Sequence, residues 1–143
     1  MISVRRAKRS DADFIYDCIC DLENKKFSTA RFRKFYFENL TSKDNIYLVA
    51  SDASHPVGFL SCHIQPLLHH CARIGEIQEM YVIPDARSNG IGKILLDSLK
   101  QLAQKKKVEQ LEVVSNKKRR RTHRFYLAQG FTFTSKKFVL PLR

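Results

Sequence analysis

The chain has 143 residues, 43% of them hydrophobic, and a formal net charge of +12. That length suits a single domain with a real core and is too short for two. No stretch approaches the roughly 20 apolar residues of a membrane span, and the N-terminus has charges without the apolar run of a signal peptide, so a cytoplasmic protein is expected. The cationic balance implies polyanionic partners, whether nucleic acid, a membrane surface or phosphate-bearing small molecules. Cys18, Cys20, Cys62 and Cys71 form no C-x-x-C pair, which argues for reduced thiols over a disulfide framework or a zinc site.

Residues 2–6 read as a first strand. Ser10 is placed to cap a helix, with Asp13 three residues on as the acid of a capping box, and Phe14, Ile15, Cys18, Ile19 and Leu22 recur at helical spacing. Ser28 caps a second helix carrying Phe32, Phe35, Tyr36 and Leu40. From Asn45 the period changes to that of strands, at 46–50, 57–68 and 74–83, with a turn at 51–56. Ile91, Ile94, Leu95, Leu99, Leu102 and Ala103 mark the apolar face of a long helix ending in Lys105–Lys107, where cations suit the helix dipole. A strand at 110–114, a basic run at 117–121, a short helix at 122–129 closed by Gly130, and a final strand at 131–140 complete the chain. The order βααβββαβαβ predicts an α/β (α+β) domain, a mixed sheet with helices on both faces.

The segment from Glu76 to Lys93 joins a strand to a helix through Pro84-Asp-Ala-Arg-Ser-Asn-Gly-Ile-Gly92. Two glycines at a helix start offer unpaired N–H groups to an anion and let it approach closely, and Arg87 adds a fixed positive charge. The spacing Arg-x-x-Gly-x-Gly is neither a P-loop nor a dinucleotide fingerprint. It predicts a phosphate cradle. Set after a strand with acidic residues, it resembles the coenzyme A pyrophosphate loop of the GNAT N-acetyltransferase superfamily, whose element order also matches. Thr122-His-Arg-Phe-Tyr-Leu-Ala-Gln-Gly-Phe131 is similar to the family's C-terminal signature, with Thr122 in place of an alanine, and Ser88 stands where a glycine is common.

The resemblance implies acetyl-CoA as cosubstrate and an amine as acceptor. Arg87, Ser88, Asn89, Gly90, Ile91, Gly92 and Lys93 would hold the pyrophosphate. Backbone groups of Met80, Tyr81 and Val82, with the Asn116 amide, would hold the pantetheine arm. A free alkyl amine with a pKa of ~10.4 is protonated at neutral pH, so some group must remove its proton before attack. Glu76 maps to the family's base, with Glu79 as runner-up; three apart, they face opposite sides of a regular strand unless a bulge intervenes. Tyr126 maps to the acid that protonates the leaving thiolate.

Within the superfamily, Leu68-His69-His70, residues 74–79 and 123–127, Ile19-Cys20 and Phe27 are most similar to aminoalkylphosphonate N-acetyltransferases. That implies Phe27, Arg33, His63, His70 and Glu79 around the acceptor, with Arg33 and nearby Arg31 suited to a dianionic phosphonate. It also brings an association with divalent metal ions, although His63, His69, His70 and His123 have no ordinary ligand spacing. Small GNAT domains pair through C-terminal strands, which implies a homodimer. Two other readings stay open: a GNAT enzyme for a polyamine, aminoglycoside or protein N-terminus, and a basic nucleic-acid-binding module.

Overall fold

The computed structural model describes residues 1–114, 120–134 and 137–143, in two compact units, Met1–Val113 and Val114–Arg143. The first unit contains β1 (Ile2–Arg6), α1 (Ala12–Glu23), α2 (Thr29–Leu40), β2 (Asn45–Asp52), β3 (His55–Leu67), β4 (Ala72–Val82), α3 (Ile91–Lys105) and β5 (Val108–Val113). The five strands lie in the order β1-β2-β3-β4-β5. Neighbours from β1 to β4 run antiparallel, and β5 joins β4 in parallel. The mixed, mostly antiparallel sheet with helices on both faces is the predicted fold class.

The apolar periods explain the two faces. On one, Ile91, Leu95, Leu96, Leu99 and Ala103 of α3 are buried, and each large side chain so placed contributes about 1.5–3 kcal/mol. Ile94, expected on that stripe, sits at its edge and is 36% exposed, while Leu96 is buried in its stead. On the other face Ile15 and Cys18 of α1 and Tyr36 of α2 pack with Tyr47, Val49, Phe59 and Tyr81. Burial pushes the Cys18 and Cys62 thiols up to about 12, so both remain protonated.

Two N-termini differ in legibility. Ser28 caps α2 as expected, its Oγ accepting from the Arg31 N–H at 3.2 Å. The expected Ser10–Asp13 box does not form. A 3-10 turn at Arg9–Asp11 precedes α1, and Asp11 accepts from the Lys8 N–H at 2.7 Å and from the two terminal Arg5 guanidinium nitrogens, Nη1 and Nη2, at 2.7 and 2.8 Å. Asp13 instead pairs with Arg33 at 3.2 Å.

The second unit contains α4 (Arg120–Ala128), followed by Gly130 at φ +95°, the left-handed cap expected there. The strand expected at 131–140 is absent from its described residues, 131–134 and 137–140. Alternating apolar side chains suit a strand, but it forms only where its N–H and C=O groups find a ladder partner.

Candidate active site

β4 is the strand on which the site is built. It pairs with β5 only as far as Ile77 opposite Val113; from Gln78 to Val82 it has β3 on one side and, among the described residues, no strand on the other. The close pairing before the split requires a small residue. A Cβ on Gly75 would lie 2.9 Å from Leu111 Cδ2 and 3.1 Å from Cys62 Sγ. Beyond it the edge of β4 along Met80, Tyr81 and Val82 that faces away from β3 has no ladder partner among the described residues.

The strand ends in a 3-10 turn at Pro84–Ala86, and Arg87 folds back so that its Nε donates to the Val82 carbonyl at 2.9 Å and its guanidinium lies 5.2 Å from the Tyr81 ring centroid. Ser88 and Gly90 both take left-handed backbone, at φ +69° and +76°. Gly90 is the N-cap of α3, so the N–H groups of the helix's first turn have no acceptor within the helix. A Cβ built on Gly90 would meet nothing within 4 Å. The turn is therefore an open nest of amides at the positive end of a 15-residue helix, with Arg87 beside it, which suits a pyrophosphate. Lys93 instead bonds Asp97, one turn along, at 2.7 Å.

On the α1/α2 side of the sheet lies a cavity of about 500 Å³. Phe27, Phe32 and Phe35 wall it, Lys25, Lys26 and Arg31 bring positive charge, and Tyr47, Phe59 and Glu79 come from the sheet. A bulge brings Glu79 there. Ser61 of β3 stands opposite Glu79 and Cys62 opposite Ile77, so Gln78 is the extra residue. Ser61 Oγ accepts from the Glu79 N–H at 3.0 Å and donates to Glu79 Oε1. Because of the bulge, Glu76 opposite His63 and Glu79 opposite Ser61 share one face. Of the two acids, Glu79 lines the cavity and Glu76 does not. Burial, reinforced by Glu23 and opposed by the Ser61 hydrogen bond, raises the Glu79 carboxyl above its ordinary range.

The other expected acceptor residues are dispersed. Phe27 lines the cavity, and its carbonyl accepts from Tyr16 Oη at 2.6 Å. Arg33 does not line it: it pairs with Asp13 and lies 5.0 Å from the Phe37 ring centroid. Arg31 lies on the lining stripe, with Phe32, Phe35, Tyr36 and Asn39, while Arg33 is turned about 200° from Arg31 around the helix. His63 is not a lining residue but its Nε2 is 2.8 Å from Tyr47 Oη, which is. His70 sits in the β3–β4 turn, 4.5 Å from the His69 ring and 3.8 Å from a Glu112 carboxylate oxygen, away from the cavity. Tyr47, Ser61 and the Lys25–Lys26 pair were not singled out from the sequence, though a serine inside an apolar strand was a usable signal. In the second unit Tyr126 lies on α4, edge-on to Phe125 and Phe131 at 5.3 and 5.2 Å. Asn116 and Lys117–Arg119 lie outside the described residues.

Among the described residues no group of three His, Cys, Asp or Glu side chains could hold a metal ion, so they offer no built ligand set for the divalent metal that the resemblance brought in. No helix among them is long and apolar enough to cross a membrane.

Residues 12–131 match the acetyltransferase (GNAT) family. An aminoalkylphosphonate N-acetyltransferase of Salmonella typhimurium strain LT2 is 36% identical over 139 residues, covering 97% of this chain and 90% of that protein. An uncharacterized N-acetyltransferase of Archaeoglobus fulgidus is 28% identical, covering 90% of this chain and 91% of its own. Among solved structures, a transcriptional regulator from Bacillus halodurans C-125 superposes with a TM-score of 0.91 at 19% identity, covering 99% of this chain and 100% of the other; at that identity the likeness concerns the fold alone. By domain match and by sequence over nearly its whole length, the chain belongs to the GNAT acetyltransferase family and is an N-acetylating acyltransferase.

Proposed function

We propose that the protein transfers the acetyl group of acetyl-CoA to the primary amine of a small acceptor bearing an anionic group, an aminoalkylphosphonate. The observation that carries this reading is the cavity itself: aromatic walls, three cations in Lys25, Lys26 and Arg31, and the Glu79 carboxyl contributed by the sheet. Arg31 supplies the planar fork that suits a phosphonate, and the two lysines add point charges. The same cations oppose a polyamine or aminoglycoside, which carries several positive charges. The identity to the Salmonella typhimurium protein supports the same acceptor class.

Acetyl-CoA supplies the activated thioester. The Gly90 nest and Arg87 fit its pyrophosphate, and the free edge of β4 at Met80–Val82 fits the amide-bearing arm. Asn116 completes that arm's contacts in this reading. Glu79 takes the proton from the acceptor's ammonium group, and its raised pKa narrows the gap to an alkyl amine. Its position in the cavity favours it over Glu76. The freed lone pair attacks the thioester carbonyl carbon, the carbon–sulfur bond breaks, and Tyr126 Oη gives the departing sulfur a proton. The match to residues 12–131 runs across the boundary between the two compact units, which supports reading them as one GNAT domain.

The test is thiol release from acetyl-CoA against aminomethylphosphonate, longer aminoalkylphosphonates, a matched amine lacking the phosphonate, a polyamine, an aminoglycoside and a peptide, with and without a divalent metal. Preference for the phosphonates is expected, and Arg31→Glu should erase that preference while Arg33→Glu keeps it. Faster turnover of a polycation would keep the reaction and discard the acceptor.

A further inference from the structure

The α1/α2 face of the sheet carries two polar rungs within an otherwise apolar surface. Tyr47, Ser61 and Glu79 stand side by side on β2, β3 and β4, and Asn45, His63 and Glu76 form the next rung. The proposed function uses Glu79 and leaves Tyr47 and His63 without a role. Yet Tyr47 lines the same cavity as Glu79 and is tied down on its polar end. Its ring is buried, its Oη accepts from Asn39 Nδ2 at 3.0 Å, and it lies 2.8 Å from His63 Nε2, with the two rings parallel to within 5°. The backbone at Asn39 is held in turn, its main-chain carbonyl accepting from Asn45 Nδ2 at 3.0 Å.

A phenol has one hydrogen to donate, and its oxygen accepts as well. Burial pushes the Tyr47 phenol up to about 12, so it keeps that hydrogen through the neutral range. With His63 neutral and its hydrogen on Nδ1, the hydroxyl donates to Nε2, accepts from Asn39, and turns its remaining lone-pair density to the cavity. With His63 protonated, Nε2–H becomes the donor. Together with Asn39 it occupies the oxygen, and the hydroxyl hydrogen is driven toward the cavity. The same oxygen then repels an N–H where it had attracted one.

We propose that Tyr47 is a positioning residue whose hydroxyl accepts a hydrogen bond from the acceptor's amino group, and that neutral His63 keeps that hydroxyl turned the right way. This rests on the reading that the cavity holds the acceptor amine, and adds a specificity element on the same rung as the proposed base. Burial favours neutral His63 over the charged form. Burial lowers the imidazole's pKa, and Glu76, across the β3–β4 ladder, opposes that shift. Tyr36 and Asn39 approach from α2, and Glu79 faces the pair from the neighbouring rung. Arg6, Lys43 and Lys106 line a second hollow that also touches Tyr47, and Lys25, Lys26 and Arg31 share the acceptor cavity.

The experiment combines acceptor kinetics with ring-nitrogen NMR of His63 in the full chain. With aminomethylphosphonate as probe, Tyr47→Phe should raise the acceptor KM about tenfold and leave the acetyl-CoA KM unchanged, the loss of one hydrogen bond to a charged group. In the wild-type protein the acceptor KM should rise as His63 gains its proton, and in His63→Gln it should lose that dependence. An unchanged acceptor KM in Tyr47→Phe overturns the proposal, as does a His63→Gln variant that retains the dependence. If Tyr47→Phe fails to fold, His63→Gln decides alone. The NMR readout needs no turnover, so it separates this inference from the proposed function. At neutral pH Nε2 should be the unprotonated nitrogen, and an Nε2-protonated ring overturns the proposal even where an acceptor is turned over.

Discussion

Gly90→Ala would test the anion cradle through two effects that the structure separates. The first is backbone strain. Gly90 sits at φ +76°, and a side chain in left-handed backbone costs roughly 1–2 kcal/mol. Replacing a glycine also stiffens the unfolded chain, which returns about 0.4–1 kcal/mol. A net loss of about 1 kcal/mol, or about 2–4 °C in melting temperature at this chain length, is expected. No packing penalty adds to it, because the new Cβ would meet no atom within 4 Å. The second effect appears only with ligand. In the proposed cradle a phosphate oxygen would approach the amides through that open space, and losing one charge-assisted hydrogen bond of about 1.5–3 kcal/mol would weaken binding roughly 10- to 100-fold. Calorimetric titration of acetyl-CoA, beside a thermal melt without ligand, reads the two effects apart. Affinity within twofold of wild type, in a protein that melts a few degrees lower, would refute the cradle. Ser88→Gly has the opposite sign on strain: Ser88 is also left-handed, at φ +69°, so glycine should stabilise by about 0.5–1 kcal/mol in the same ligand-free melt.

Glu79→Gln should lower kcat by about 10²–10⁴ at neutral pH, against less than about tenfold for Glu76→Gln; the reverse order in initial-rate kinetics would assign the base to Glu76. Because the Glu79 pKa is raised, its acid limb in the rate profile should lie above the ordinary carboxylate range and disappear in Glu79→Gln. The same sign means that ionised Glu79 costs stability above the unfolded-state pKa, so Glu79→Gln should melt no lower than wild type at neutral pH. Asp11 has the opposite sign. Arg5 and the Lys8 N–H hold its carboxyl below the ordinary value of 3.8. Its contribution is therefore complete above that value and lost as pH falls through the folded-state pKa. Asp11→Asn should cost about 1–2 kcal/mol by urea unfolding at pH 7, tempered because the Arg5 side chain is 39% exposed, and the gap to wild type should close in acid. Tyr126→Phe should bind acetyl-CoA normally and lose most of its turnover; unchanged turnover would remove Tyr126 from the mechanism.

The parts of the fold that local patterns specify were legible. Strand alternation, the α3 stripe, the Ser28 cap and the Gly90 helix start each depend on residues within a few positions of one another. The failures share one cause, competition from residues distant in sequence. Ser10 and Asp13 form a sound capping box on paper, but Asp11 gains both terminal Arg5 nitrogens across the turn and draws the chain into a 3-10 start. Arg33 and Arg31 are equivalent as cations, and only the helix phase set by burial of Tyr36 decides which reaches the cavity. The expected strand at 131–140 needed a partner that its own residues could not name.

The bulge on β4 is the consequential case. Nothing in Glu76-Ile-Gln-Glu79 marks an extra residue, since there is no glycine or proline among them. The bulge is held from the neighbouring strand, where Ser61 Oγ takes the Glu79 N–H and donates to the Glu79 carboxylate. Read as a regular strand, the segment puts one of its acids on the far face; with Gln78 inserted, both lie on the face that carries the cavity, and the later one reaches it. A serine in an apolar strand thus determines where a carboxylate two strand positions beyond Ile77 points, and with it which acid can meet the acceptor's proton. Ser61→Ala leaves that N–H without its acceptor, so a register that returns Glu79 toward regular pairing would carry the proposed base out of the cavity while the hydrophobic face of α3 stayed packed.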